Sequence, residues 1–136
     1  MNIEEVKKTI VEFLNEKISP WLVILFGSII KENFRPDSDI DIAYFSDIDI
    51  DNYERFLIAQ ELANILNRDV DLIDLKKASA VFKTQIISTG EVIFCSDETR
   101  KMYFFMRTYK EYALLNEERE VVLKSLFEGS NNSYDR

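Results

Sequence analysis

Apolar residues recur at helical spacing from the start of the chain: Ile3, Val6, Ile10, Phe13 and Leu14. This predicts an amphipathic helix over residues 3–17, ended before Pro20. Residues 21–26, Trp-Leu-Val-Ile-Leu-Phe, form an unbroken apolar run between Pro20 and Gly27, the pattern of a strand buried on both faces. Gly27-Ser28 is its exit turn. A short helical turn and loop stopped by Pro36 fill residues 29–38, and polarity then alternates over residues 39–45. The alternation predicts a strand with Ile40, Ile42 and Tyr44 on one face and Asp39 and Asp41 on the other.

Helical spacing returns over residues 53–66, with Phe56, Leu57, Ala59, Leu62, Ala63 and Leu66 as the apolar side and Asp51 or Asn52 as N-cap. Residues 69–75, Asp-Val-Asp-Leu-Ile-Asp-Leu, read as a third strand. Residues 79–89 read as a short helix closed by Gly90 at C′, and residues 91–95 as a last strand. From 97 to 127 no helix breaker intervenes. One helix there would be roughly 45 Å long at ~1.5 Å per residue, against a domain diameter of about 35–40 Å, so part of it should project or fold back. The aromatic group Tyr103, Phe104, Phe105, Tyr109 and Tyr112 is expected to be core packing, with a partner surface as the alternative.

The expected architecture is α+β (α/β): a small mixed β-sheet of about four strands flanked by helices, with a long C-terminal helical segment. Residues 1–96 form the main domain, 97–127 the helical segment packing on it, on a partner or on both, and 128–136 a polar, disordered tail. At 136 residues there is no room for a second catalytic domain.

Composition narrows the chemistry. The chain has no histidine and one cysteine, Cys95, which removes His general bases, the Ser and Cys triads, most zinc sites and any disulfide framework. Cys95 is expected to pack in a strand. A formal charge of −8, from 25 acidic and 17 basic residues, argues against direct nucleic-acid binding and favours an acidic metal site or a basic protein partner. The start lacks a signal-peptide pattern, and no apolar run approaches the length of a membrane span. A cytoplasmic protein without a membrane association is the expectation.

Carboxylates are then the main chemistry available, and their spacing is informative. Ten residues separate Gly27-Ser28 from Asp39-Ile40-Asp41. A glycine-serine turn can lay backbone N–H groups against a phosphate. Two carboxylates at i and i+2 on a strand share a face and can hold divalent metal. An all-oxygen site of this kind prefers Mg²⁺ or Mn²⁺ to zinc. In the third strand Asp69 and Asp71 share a face and Asp74 has the opposite parity; Asp71, between Val70 and Leu72, is assigned as third carboxylate, with Asp69 as fallback. Asp47, Asp49 and Asp51 alternate like a calcium loop but lack its glycine and glutamate, and are read as a solvated loop.

The G-S-x10-D-x-D pattern in this strand context, with Pro-Asp-Ser-Asp-Ile-Asp at residues 36–41, resembles the DNA polymerase beta-like nucleotidyltransferase superfamily, specifically its minimal nucleotidyltransferase (MNT) antitoxin branch. The resemblance covers about residues 20–95 and implies a nucleotidyltransferase fold. It also implies the antitoxin of a type VII HEPN/MNT toxin–antitoxin pair, which transfers AMP from ATP to a tyrosine hydroxyl of a cognate HEPN ribonuclease toxin, silences it and forms a hetero-oligomer with it. Carried over by position, Gly27 and Ser28 would cradle the triphosphate, Asp39 and Asp41 would bind two Mg²⁺ ions, and Asp71 would match the third carboxylate.

Family members often continue after the serine with an arginine, a second basic residue and a glycine. Here Ile29, Lys31 and Glu32 follow, leaving Lys31 and Arg35 as candidates to neutralise the triphosphate. Two alternatives stand beside this reading: a non-catalytic antitoxin that neutralises by binding, and a small-molecule nucleotidyltransferase of the aminoglycoside type, which would need an acceptor-binding domain that the chain is too short to supply.

Overall fold

The computed structural model describes residues 1–27 and 38–131. Eight elements follow in order: α1 (Ile3–Ile18), β1 (Leu22–Phe26), β2 (Ile40–Phe45), α2 (Asn52–Leu66), β3 (Val70–Asp74), α3 (Ala80–Thr89), β4 (Glu91–Cys95) and α4 (Glu98–Asn131). The strands form one mixed sheet in the order β3-β2-β1-β4. β1 runs antiparallel to both β2 and β4, and β2 is parallel to β3. The parallel step needs a crossover, which α2 supplies.

Strand parity sorts the two cores. Val23 and Leu25 of β1, Ile40, Ile42 and Tyr44 of β2 and Leu72 of β3 join Val6, Ile10 and Leu14 of α1 and Ala59, Leu62 and Leu66 of α2 on one face. On the other, Leu22, Ile24 and Ala43 pack with Ile86 and Ile87 of α3 and with Phe104 and Phe105 of α4. Because β1 sits between two strands and under both layers, it is apolar throughout.

Local sequence sets the helix ends. Asn2 caps α1 and Ser79 caps α3. At α2, Asp51 is the N-cap and closes a capping box with Glu54. α2 differs from its expected apolar side: Ala59, Leu62 and Leu66 are buried, whereas Phe56 and Leu57 are exposed. The helix meets the sheet along one narrow stripe, and that stripe turns Phe56 outward.

Gly90 also differs from expectation. Its φ is −83°, so it does not occupy the left-handed C′ conformation. It is needed for space, since a Cβ there would lie 2.5 Å from Ile24 Cγ2 and 2.6 Å from the Ile86 carbonyl oxygen. α4 runs to Asn131, past the helix end expected at 127 and through Gly129, whose helix cost of about 1 kcal/mol does not stop it. Among the described residues no helix is long and apolar enough to cross a membrane.

The first two turns of α4 are fastened by an aromatic cluster. Phe104 meets Phe45 at 5.2 Å and Trp21 at 6.4 Å between ring centroids, edge to face. Arg100 lies over Trp21 at 4.5 Å and holds Asp47 through two hydrogen bonds of 3.0 and 2.7 Å. The aromatic group does not pack as one, contrary to the core expectation: Phe104 and Phe105 pack inward, while Tyr103 and Tyr109 are exposed. The three alternating aspartates have separate tasks: Asp47 holds Arg100, Asp49 pairs with Lys76, and Asp51 caps α2.

Candidate active site

Asp41 stands at the centre of the site because register puts it there. It is opposite Phe26 in the β1–β2 pair and opposite Asp71 in the β2–β3 pair. Cross-strand partners carry their side chains on the same face, so Asp41 and Asp71 are neighbours on the face that bears α3. Asp39 shares that parity just before β2 begins. Phe26, beside Asp41, is held edge-on by Phe82 of α3 at 5.9 Å.

Gly27 joins the two halves of the sequence motif. Its φ is +77°, and a Cβ on it would lie 2.2 Å from Asp41 Oδ2 and 3.1 Å from Asp41 Cγ. Only glycine permits both that backbone conformation and so close an approach to a carboxylate. Gly27, at the exit of β1, therefore lies directly against the acid of β2. Ser28, Lys31 and Arg35, together with Ile29, Glu32 and Pro36, lie outside the described residues.

The carboxylates act on one another. Burial pushes the Asp41 carboxyl above its ordinary value, and the charges of Asp71 and then Asp39 push it further the same way. None of the three forms an ion pair with a Lys or Arg among the described residues. As they lie, no three acidic, His or Cys side chains among the described residues are drawn close enough to hold a metal ion. Still, a half-buried carboxylate destabilised by two others, with oxygen as the sole donor type, has the chemistry that a hard divalent cation satisfies.

Asp74 behaves differently, as its parity requires. It is on the opposite face, 4% exposed, and its Oδ1 accepts a hydrogen bond from the Lys76 N–H at 2.9 Å. It faces Tyr44 across the strands. Burial and then Asp74 push the Tyr44 phenol up to about 12, with the Arg55 guanidinium acting in the opposite sense.

β3 is an edge strand, and a cleft of about 390 Å³ opens along it. Its lining includes Asp39, Asp69 and Asp71 on the strand side and Asn52, Arg55, Phe56 and Gln60 on α2. Sequence reasoning placed Phe56 in the core and did not single out Arg55. The available signal was the spacing of Asn52, Phe56 and Gln60, a second i, i+4, i+8 stripe beside the buried one.

Three comparisons bear on this arrangement. The family described as "Polymerase beta, Nucleotidyltransferase" matches residues 8–99. The chain is 35% identical over 102 residues to protein adenylyltransferase MntA of Shewanella oneidensis, covering 75% of this chain and 73% of that protein. A solved toxin–antitoxin structure with AMP-PNP superposes with a TM-score of 0.78 at 32% identity, covering 89% of this chain and 98% of the other. A tri-AMPylated Shewanella oneidensis HEPN toxin in complex with its MNT antitoxin matches with a TM-score of 0.76 at 30% identity, over 91% of this chain and 98% of the other.

Proposed function

Because this chain belongs to the polymerase beta nucleotidyltransferase family, we propose that it is the antitoxin of a type VII HEPN/MNT toxin–antitoxin pair. It is an adenylyltransferase, and it moves AMP from ATP to a tyrosine hydroxyl of a HEPN-domain ribonuclease toxin, inactivating it. The observation that carries this reading is the contact of Gly27 with Asp41, in register with Asp71. It supports the reading by bringing Gly27 against Asp41 with Asp71 beside it on the same sheet face.

Asp39 and Asp41 would hold Mg²⁺, and Asp71 would complete its ligand set. Bound there, the ions would neutralise triphosphate charge and acidify the acceptor hydroxyl. By the family's motif, Gly27 and Ser28 would offer backbone N–H groups to the phosphates, and Lys31 and Arg35 are the candidates for neutralising their charge. Asp71, on the edge strand, faces the acceptor. It orients the tyrosine hydroxyl and takes its proton as the oxygen attacks the α-phosphorus in line. The bond from that phosphorus to the bridging oxygen breaks, and pyrophosphate leaves.

The protein acts in the cytoplasm, where ATP and the toxin meet. The outer part of the helical segment 97–127 faces the partner. Val121, Val122, Leu123, Leu126 and Phe127 are all exposed there, an apolar surface that a hetero-oligomer would cover.

The test uses α-labelled ATP, Mg²⁺ and a purified HEPN-domain toxin as acceptor, the product of the neighbouring gene being the first candidate. Label is expected on a toxin tyrosine, with a loss of at least about a hundredfold in an Asp39→Ala/Asp41→Ala variant. Unlabelled toxin, together with full neutralisation by that variant, would replace transfer with simple binding.

A further inference from the structure

α4 rests on the domain by one side only. Phe104 and Phe105 pack into the core and Thr108, one turn on, is fully buried. After Asn116 the helix leaves the domain, and every residue from 117 to 127 is exposed. A second stripe runs along the helix about a third of a turn round from the packed side. Met102 and Met106 in it are 60% and 62% exposed, and Tyr109, Leu123 and Phe127 are exposed with them. Steps of four and three residues alternate from Met102 to Phe127, with Ala113, Asn116 and Glu120 in the middle of the series. That is the 3.5-residue repeat of a seam between two helices.

The seam is complementary to its own reverse. Laid antiparallel on a second copy, Met102 meets Phe127 and Met106 meets Leu123 at both ends, each pair occurring twice by symmetry. At the centre Ala113 meets Asn116, and the Tyr109 phenol can donate to the Glu120 carboxylate. A parallel pairing would instead set Glu120 against Glu120. Charge favours the same direction. Lys110 and Glu117 flank Ala113 on one side of the seam, and neither forms an ion pair within the chain among the described residues. Antiparallel pairing brings Lys110 of each copy to Glu117 of the other. Residues 98–112 hold four basic and two acidic side chains, and residues 113–127 two basic and three acidic, so the two halves of the helix attract each other across the pair.

We propose that this stripe is a self-association surface, by which two copies of the chain pair through antiparallel α4 helices. The overlap of residues 102–127 is about 39 Å long. Each projecting half lies along the domain-anchored half of the other copy, which takes Leu123 and Phe127 out of water. Val121, Val122 and Leu126 turn to other sides of the helix and remain for the toxin. The antitoxin thus enters its complex as a two-headed unit. The pairing does not depend on the chemistry at Asp41.

Sedimentation equilibrium of the full chain without toxin, over roughly 1–100 μM, tests the pairing. Wild type should reach twice 16.0 kDa. Leu123→Glu should weaken association at least about a hundredfold and Lys110→Glu about tenfold, with far-UV circular dichroism checking that each variant is folded. The double reversal Lys110→Glu/Glu117→Lys should restore association to within about threefold of wild type, as direct antiparallel contact requires. A wild-type monomer throughout the range would overturn the proposal. So would a dimer indifferent to Leu123→Glu, or a double reversal no better than Lys110→Glu alone. A wild-type monomer whose binding to the toxin is lost in Leu123→Glu would overturn it by assigning the stripe to the toxin.

Discussion

Asp41 is the residue on which opposing demands meet. The Gly27 backbone presses against it, Asp71 and Asp39 repel it, and burial removes the water that would solvate its charge. Its folded pKa is therefore above its unfolded value, so the native state binds more protons than the unfolded chain between those two values. Stability falls as pH rises across that window and stays lowered above it. Asp47 and Asp49 act in the opposite sense, since Arg100 and Lys76 hold them low: what they contribute is present above the unfolded carboxylate range and lost as pH falls. At neutral pH without divalent metal, Asp41→Asn should raise the melting temperature by a few degrees, a change on the order of 1 kcal/mol or less. Added Mg²⁺ should raise the wild-type value and leave the variant's almost unmoved; calorimetry with and without the metal reads both. The pairing of Asp41 with Asp71 was legible from parity, because alternation fixes which acids share a face. The register that puts them side by side is a tertiary fact, and so is the carboxylate that occupies the space of a Gly27 side chain.

At the scale of elements, apolar patterning and turn or cap residues located the helices and strands up to β4, and the absence of breakers located α4. Patterning failed where a helix carries two stripes. Phe56 and Leu57 satisfy the spacing rule for α2 as well as Leu62 does, and only the narrow seam against the sheet decides between them. Spacing likewise could not divide the aromatic group of α4. Phe104 turns toward Trp21 and Phe45, and Tyr103 one residue earlier turns to solvent. Phe104→Ala should therefore cost about 2–3 kcal/mol by loss of packing and ring contacts, and Tyr103→Ala within about 0.5 kcal/mol. Urea denaturation midpoints at constant m-value separate the two.

Over the whole molecule, the absence of histidine leaves almost nothing to titrate between the carboxylates and the lysines. Unfolding free energy should accordingly change by less than about 0.5 kcal/mol between pH 6 and 8, measured by denaturant titration at fixed ionic strength. The acid limb of activity then belongs to carboxylates alone. The strand order also carries a consequence for how such a catalyst can be altered. Gly27, Asp39 and Asp41 lie on or beside the interior strands β1 and β2, each locked by neighbours on both sides, whereas Asp71 and the cleft belong to a border with one neighbour. On the proposed reading, the donor half would be fixed by the sheet and the acceptor half, carried by Asp71, would hang from its margin. If the proposed roles hold, exchanging the edge strand β3 for that of another family member would alter the transfer as a graft does, at the margin, while the interior strands that carry Gly27, Asp39 and Asp41 stay in place.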